Sequence, residues 1–378
     1  MNQFHLEVQY VPESITLLNM VAQPAGFETE YMNKIAARYG ITPDDEAKEY
    51  VELLQEIEDA ARAEFSRDAE DIRFFCGMQN INDKVESFAN ILMLAGSSAL
   101  RENSVSKYCD ELKNLSEAEY NKRFYDEVKV FGSRTADEET EGEISALDIF
   151  ELIQQKDLTD AEKLHLQKLY IHHVEYCDKF TALMERSAKV IKKYEKKLLA
   201  KGKRVAEHFE GLLNGTSMAE YIMKEFYIDL KSDRKLDDCD IYISYIKSAS
   251  MGFFFDGLST SSKSIVSIGA IFNASISVGD LLKNLNSLNE DKVLLMLKLL
   301  ADKSKFAILS ATVNEPAYGA QLASMLGLTT ATISHHTSAL MDQNLLTLDK
   351  VDTKVYYRAN PDMIRALVDY IKKELLHE

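Results

Sequence analysis

The sequence predicts an α+β fold that is mostly helical, and three observations support this fold class. Apolar residues recur at helical spacing through most of the chain up to about residue 225. Between residues 239 and 268, two short stretches alternate apolar and polar residues and a third is apolar and aromatic, which is typical of strands in a small antiparallel sheet. From Leu299 to Asn360, helical segments are followed by two strands, in the order of a winged helix-turn-helix domain.

A further strand is expected at the N-terminus. Phe4, Leu6, Val8 and Tyr10 alternate with polar residues, and Pro12 ends the pattern. We expect this strand to join the later sheet and to bring the two ends of the N-terminal domain together.

Capping residues locate several helices of the N-terminal domain. Residues 43–46 (PDDE) begin one helix, with proline in its first turn and acidic residues near its positive end. Ser116 and Thr159 each begin a capping-box pattern, and the helix from Thr159 is expected to continue to about Ala200. Another helical apolar stripe comprises Val85, Phe88, Ala89, Leu92 and Met93.

After these helices the sequence pattern changes from helical spacing to strand-like segments. Strands are expected at Cys239–Ile246, Met251–Phe255 and Ser264–Ile268, with glycine and serine between them. Residues 269–286 then lead to the terminal domain. We therefore expect an α+β sensing or interaction domain over residues 1–286 and a winged-helix domain over residues 287–378.

Turn chemistry supports the helix-turn-helix. Gly327 can adopt the positive φ that ends a helix, and the Thr329 hydroxyl can cap the next one. A helix presented in this way enters a DNA major groove. The expected helices are Lys303–Ala311, Tyr318–Leu326 and Thr330–Gln343, and the expected wing strands are Leu345–Asp349 and Lys354–Ala359.

This final quarter of the chain resembles the winged-helix domain of the ArsR family of bacterial transcriptional regulators. The matching residues fall in order with the family's spacing: Leu300-Ala301-Asp302, Leu322-Ala323, Leu326-Gly327-Leu328, Thr332-Ile333-Ser334-His335-His336, Leu340, Leu345-Leu346 and Val355-Tyr356-Tyr357-Arg358. The resemblance implies binding to double-stranded DNA as a homodimer. It also implies a dimer interface formed by the amphipathic flanking helices, Asp291–Leu300 and Pro361–Leu376.

The resemblance does not extend to the family's metal sites. Metal-sensing members carry Cys-x-Cys before the recognition helix, whereas Ala317–Ala323 contains no cysteine. Other members use acidic and histidine ligands on the last helix, a pattern that Asp362, Asp369 and His377 do not match. No metal and no cofactor are therefore expected.

The recognition helix, 330–343, should bury one side and present the other. On a 3.6-residue period Ile333, Thr337 and Leu340 face inward, and His336 lies at the margin. Family members often place a leucine and two basic residues where this chain has Thr337-Ser338-Ala339. For His336, orienting the helix and contacting DNA are equally good interpretations. The predicted DNA contacts are Thr330, Thr332, Ser334, His335, His336, Lys350, Lys354 and Arg358.

The net charge of −17 is distributed unevenly. Residues 285–378 carry 10 basic and 11 acidic side chains, a charge of −1, while the first 284 carry 34 basic and 50 acidic ones, a charge of −16. Few cations are thus available for phosphates: Lys303, Lys305, Lys350, Lys354 and Arg358 are the candidates. A dimer would be needed for useful affinity.

A basic run of seven lysines and one arginine stands out within the acidic N-terminal domain. It comprises Lys189, Lys192, Lys193, Lys196, Lys197, Lys201, Lys203 and Arg204. One interpretation is a solvated face or one that pairs with acidic helices, and the other is a supplementary contact to the DNA backbone. The acidic segment 132–142 is interpreted as a solvated loop.

No motif for catalysis is present: the sequence lacks a phosphate loop, GxSxG, HExxH and the Rossmann glycines, so we expect no enzyme. His173 and Cys177 are four residues apart and share a helical face, but two ligands do not make a metal site, and packing is the better interpretation.

The chain is expected in the cytoplasm. It begins without a basic, apolar leader, and no apolar run reaches the roughly 18 residues of a membrane span. The four separated cysteines favour free thiols. We expect a homodimeric DNA-binding transcriptional regulator whose N-terminal domain senses a small molecule or a protein. A protein-interaction module with a degenerate winged helix and an enzyme fused to a regulatory domain are the alternatives.

Overall fold

A computed structural model of the 378-residue chain describes residues 2–26, 43–81, 84–95, 97–131, 142–218, 220–221, 239–254, 264–273, 276, 288, 290–351 and 354–376. Its fold is α+β and mostly helical. Contacts divide it into two compact units. The first comprises residues 1–218 and 235–276, and the second comprises residues 219–234 and 277–378.

Helices and strands of the described residues are numbered in chain order. The helices are α1 (Tyr10–Ala22), α2 (Asp45–Glu64), α3 (Ala69–Cys76), α4 (Phe88–Leu92), α5 (Val105–Lys113), α6 (Glu117–Val130), α7 (Ala146–Gln155), α8 (Asp160–Ile171), α9 (His173–Lys192), α10 (Glu195–Leu212), α11 (Glu290–Ala301), α12 (Lys303–Thr312), α13 (Gly319–Leu326), α14 (Thr330–Asp342) and α15 (Pro361–Ile371). The strands are β1 (Gln3–His5), β2 (Met78–Ile81), β3 (Lys84–Ser87), β4 (Cys239–Ser244), β5 (Met251–Phe254), β6 (Ser264–Gly269), β7 (Ala317–Tyr318), β8 (Leu346–Val351) and β9 (Lys354–Ala359).

The main sheet of the first unit has the order β1-β4-β6-β5. The three strands expected between residues 239 and 268 are present, and the N-terminal strand does join them. The expectation of an antiparallel sheet was wrong, because β1 pairs with β4, and β4 with β6, in parallel; only β5 runs antiparallel to β6. The alternating pattern reports which residues are buried, and it carries no information on strand direction.

The N-terminal strand is shorter than expected. It ends at His5, and Tyr10 begins α1, so Pro12 lies in the first turn of a helix instead of ending a strand. Proline is tolerated there because the first amides of a helix have no partner within it. Val8, Gln9 and Val11 are all buried, so the alternation of apolar and polar residues beyond His5 does not correspond to alternating burial.

The helix expected from Thr159 to Ala200 is three helices. It breaks at His172, with φ −107° and ψ 28°, and again before Glu195, which begins α10. Leu169, Cys177 and Leu198 are buried on either side of these breaks. Because the apolar pattern continues through the breaks, the spacing of apolar residues alone does not reveal where the helices end.

The predicted positions at which these helices begin are confirmed to within a residue or two. Thr159 forms a complete capping box with Glu162, and the Ser116 hydroxyl accepts the amide of Glu119. Asp44 caps α2, so Pro43 precedes the cap and does not lie within the first turn.

One predicted apolar stripe is divided between two elements, and several expected features lie outside the described residues. Val85 belongs to strand β3, whereas Phe88, Ala89 and Leu92 lie in α4 and are buried. Nearly all of the acidic segment 132–142, most of a helix expected at 219–227 and most of the link at 277–289 lie outside the described part.

Candidate nucleic-acid interface

The helix-turn-helix of the second unit is fixed by local backbone chemistry. Gly327 ends α13 in the left-handed region, with φ 67° and ψ 30°. The Thr329 hydroxyl then accepts the amide of Thr332, 3.1 Å away, and caps α14. Both features were predicted. Tyr318, expected as the first residue of α13, instead belongs to the short strand β7, and Gly319 begins the helix.

Helix α14 has a fully buried side. Ile333, Thr337 and Leu340 have no exposed surface, as predicted. Ile333 and Leu340 belong to the hydrophobic core of the second unit together with Ile308 of α12 and Leu322 of α13. The Thr337 hydroxyl donates to the carbonyl of Ser334, so the one polar group on this side is satisfied. Burial of this side fixes which residues α14 presents to solvent.

The opposite side of α14 carries the predicted contact residues. Thr330, Ser334 and His335 are exposed, while Thr332 and Ser338 are half-buried. The Thr332 hydroxyl lies 2.8 Å from that of Thr329, so the cap already engages it. Hydroxyl and imidazole groups therefore dominate this surface. They can meet phosphates and base edges, but they lack the bidentate geometry of arginine or asparagine.

His336 lies on the packed margin of α14. It is half-buried, its Nδ1 has no hydrogen-bond partner among the described residues, and its ring lies 5.7 Å from that of His335. Burial lowers the pKa of His336, and nearby Lys305 lowers it further, against an opposing effect of Asp302. A neutral ring facing α12 suits a positioning residue better than a contact to phosphate.

The wing is formed by β8 and β9, which pair antiparallel from Leu346↔Ala359 to Val351↔Lys354. The backbones of Lys350 and Lys354 lie near the end of this hairpin, but their side chains lie outside the described part of the chain. Arg358 is half-buried and lies opposite Thr347, whose hydroxyl donates to its carbonyl. The wing and α14 thus belong to one packed unit.

Two features of this unit were missed from the sequence. Ala317 and Tyr318 form a third strand, paired antiparallel with Tyr357 and Tyr356 of β9. Asn344 has φ 55° and ends α14 before the wing. Asparagine is the residue besides glycine that most readily adopts this conformation, so Asn344 was a usable signal, whereas a two-residue strand leaves none.

Two further cations were candidates for phosphate contacts. Lys303 is exposed. Lys305 has a side chain only 13% exposed, and its ammonium lies 3.4 Å from the carboxylate of Asp302. That carboxylate also caps α12 by accepting the amides of Ser304 and Lys305. Lys305 is therefore engaged inside the unit and is a poor phosphate ligand.

The two helices that flank the domain leave apolar surface uncovered. Leu294, Leu295 and Leu297 of α11 are 50%, 42% and 40% exposed, and Val368 of α15 is 44% exposed. Val293 and Met296, on the other side of α11, are buried in the core. One side of α11 is therefore buried in the core, while the leucines on its other side are left exposed by the described part of the unit.

The predicted histidine–cysteine pair is used in packing. The ring of His173 stacks on that of Tyr120 at 3.9 Å, and Cys177 is buried with its thiol near the carbonyl of Leu92. Among the described residues, no three His, Cys, Asp or Glu side chains are grouped in a way that could hold a metal ion. No helix of the described residues has both the length and the apolar character needed to cross a membrane.

No protein-family model and no curated protein matches the sequence. Among solved structures, the chain is similar to reduced HlyU from Vibrio cholerae, with 22% identity and a TM-score of 0.20, over 23% of this chain and 92% of that one. It is similar to NolR from Sinorhizobium fredii with the same identity and TM-score, over 24% of this chain and 95% of that one. Each match spans nearly all of the other chain and about a quarter of this one.

Proposed function

We propose that the chain is a DNA-binding transcriptional regulator that inserts α14 into the major groove. The observation that carries this function is the division of α14 into two sides. Ile333, Thr337 and Leu340 are fully buried, while Thr330, Ser334 and His335 are presented to solvent on the same rigid helix. Placing contact residues on a helix locked by its own core gives the precise geometry that base readout requires.

In this function the contacts have separate tasks. Thr330, Ser334 and His335 contact base edges or phosphates, with Thr332 beside them, and His336 orients the helix. Lys350, Lys354 and Arg358 of the wing contact phosphates. These contacts neutralise few phosphates, so the affinity of one domain for a half-site is low.

Low affinity for one half-site favours action as a homodimer on a palindromic operator. The exposed leucines of α11 and the exposed Val368 of α15 support this part of the proposal, because they supply an apolar surface for a second copy. Two recognition helices would then read half-sites about one helical turn apart.

The proposed role of residues 1–286 is to sense a small molecule or a protein. Binding there would change the separation of the two recognition helices, and the coupling would be reciprocal, so operator DNA would also change affinity for the effector. Residues 287–378 would form the DNA-binding domain. The proposed location is the cytoplasm, which suits the four buried free cysteines.

The test is a selection of genomic fragments with the purified full-length chain at low salt. The expected result is enrichment of a palindromic site. Thr332→Ala and His335→Ala should alter the sequence preference at particular positions, whereas neutralising Lys350, Lys354 and Arg358 should weaken binding to all sequences alike. The absence of an enriched site at low salt would overturn the proposed function, and the reverse pattern among the variants would show that α14 is docked differently.

A second candidate function is a protein-interaction module that retains the winged-helix fold without DNA binding. It is favoured by the near-neutral charge of residues 285–378 and by Phe306, Val313 and Met325, which are 56%, 54% and 57% exposed. Exposed apolar side chains suit a protein surface better than a phosphate backbone. This function predicts no enriched site, and loss of partner binding on Phe306→Ala and Met325→Ala.

A further inference from the structure

The basic run from Lys189 to Arg204 lies at the end of α9 and the start of α10, and seven of its eight cations fall into two groups. Those of one group are neutralised within the first unit. Lys197 lies 3.0 Å from Glu56, Lys201 lies 2.6 Å from Glu46, and Arg204 lies 3.6 Å from Glu46, both acids belonging to α2. This group fits the interpretation of pairing with an acidic helix.

The second group, here called the open lysine cluster, comprises Lys189, Lys192, Lys193 and Lys196. All four side chains are exposed, and none has an ion pair or hydrogen bond with the described part of the chain. Lys203, the remaining cation of the run, lies 3.8 Å from Glu207 on the same helix. The open lysine cluster therefore concentrates positive charge for which the described residues supply no counterion.

Lys193 and Tyr194 join α9 to α10 with near-helical backbone angles (φ −63° and ψ −26°; φ −106° and ψ 0°). The open lysine cluster therefore keeps roughly helical spacing across this break and lies on one side. Its members follow one another at intervals of three, one and three residues, while Val190, Ile191 and Leu198 on the other side are buried. Like charges three and four residues apart on a helix destabilise it by a few tenths of a kcal/mol for each pair. No ion pair or hydrogen bond with a described residue offsets this repulsion between the lysines.

We infer that the open lysine cluster is a second contact to double-stranded DNA, made to the phosphate backbone and independent of sequence. Its first and last members, Lys189 and Lys196, are separated along the chain by an extent of about 10 Å at the helical rise of about 1.5 Å per residue. One DNA strand carries a phosphate for every ~3.4 Å of axis, so about three phosphates face a stretch of that length. Lysine suits such a contact because it acts as a flexible point charge without the planar geometry of arginine.

The charge of the rest of the chain makes DNA the fitting polyanion. The first 284 residues carry a charge of −16, which repels DNA everywhere except where cations are concentrated and unpaired. The winged helix itself offers few cations, and Lys305 is engaged by Asp302. A contact between the open lysine cluster and the DNA phosphate backbone would supply the counterion release that residues 287–378 lack. In this respect the inference rests on the proposed function.

The test compares two full-length triple variants that lose the same charge. The first is Lys192→Gln, Lys193→Gln and Lys196→Gln. The control is Lys48→Gln, Lys107→Gln and Lys179→Gln, whose side chains are 59%, 62% and 56% exposed and are already ion-paired. Affinity is measured against salt concentration for the selected site and for a 30-base-pair duplex of random sequence. A matched urea midpoint shows that each variant is folded.

We expect the slope of log affinity against log salt to fall by about 2.7 in the first variant, at ~0.9 for each lost contact, and to stay unchanged in the control. The fall should be the same on both duplexes, because the contact does not read sequence. Equal slopes in the first variant and the wild type would overturn the inference while leaving an enriched site, and the proposed function, intact.

Failure of the proposed function gives a different result. If no site is enriched but binding to the random duplex depends on the open lysine cluster, the inference is supported and the proposed sequence-specific function is overturned. If the wild type binds neither duplex at low salt, both are overturned.

Discussion

The carboxylate of Glu13 has an unusual position for an acid. It lies on α1, is 3% exposed, and accepts the amides of Tyr245 and Ile246 at 2.6 and 2.8 Å, just beyond the end of β4. Tyr50 lies beside it and donates its hydroxyl to the carbonyl of Tyr245. Burial raises the pKa of Glu13 to about 7, against the two amides, which lower it. One side chain thus links a helix to the sheet.

This environment predicts a dependence of stability on pH. Because the folded pKa of Glu13 is raised, the folded protein holds the proton more tightly than the unfolded chain. The contribution is therefore fully present below about pH 4.5 and is lost as the pH rises to about 7. With Glu13→Gln, which cannot titrate, the difference in free energy of unfolding between wild type and variant should shift against the wild type by up to roughly 3 kcal/mol across that window.

Urea unfolding at half-unit steps from pH 4.5 to 8 measures this shift. The variant also exchanges an acceptor for an amide, which adds a constant offset, so the pH profile and not the absolute value is diagnostic. Parallel profiles would mean that Glu13 is already ionised throughout the window.

At the scale of elements, α10 approaches the sheet so closely that one position must be glycine. A Cβ built on Gly202 would lie 2.2 Å from the hydroxyl oxygen of Tyr245, a residue with no exposed surface. That hydroxyl donates to the carbonyl of Leu6, so the ring cannot move away freely. Gly211, in the same helix, has nothing within 4 Å of its Cβ position.

The two glycines should respond to alanine in opposite directions. Gly202→Ala is expected to lower the free energy of unfolding by about 1–3 kcal/mol, because overpacking displaces Tyr245. Gly211→Ala should raise it by up to about 1 kcal/mol, because alanine restricts the unfolded chain and favours helix. Chemical unfolding of both variants decides the matter, and equal effects would mean that α10 does not approach Tyr245 as described.

At the scale of the whole molecule, the two units differ in charge and in the surface they leave uncovered. The first is acidic with a basic run, and the second is near neutral with exposed leucines on α11. Proposed dimerisation through α11 and α15 links the few cations of one winged helix to those of another.

The dimer proposal predicts that Leu294→Glu with Leu297→Glu yields a monomer in sedimentation velocity, while the wild type sediments as a dimer. Two buried carboxylates at a symmetric interface would repel each other and lose solvation. Val313→Glu with Met325→Glu adds the same two charges at apolar side chains that are 54% and 57% exposed outside the flanking helices, and it should leave the dimer intact. A wild type that is monomeric at micromolar concentration would contradict the proposal.

Local chemistry made much of the second unit predictable. Gly327 and Thr329 fix the turn through φ and a capping hydroxyl, and the period of Ile333, Thr337 and Leu340 fixes the buried side of α14. Each of these signals acts within a few residues of the chain, so a single sequence contains it. The DNA contacts themselves stay a prediction.

The α+β class, the caps at Ser116, Thr159 and Thr329, the positions of β4, β5 and β6, and the buried side of α14 were all predictable from the amino-acid sequence. Only the tertiary structure decided the parallel direction of β1, β4 and β6, the breaks in the helix after Thr159, and which lysines of the basic run meet α2. The physical reason is the range of the interactions. Capping and periodicity depend on neighbours within a turn or two. The pairing of β4 with β6 joins residues 25 positions apart, and the pairing of β1 with β4 and the ion pair of Lys197 with Glu56 join residues 237 and 141 positions apart.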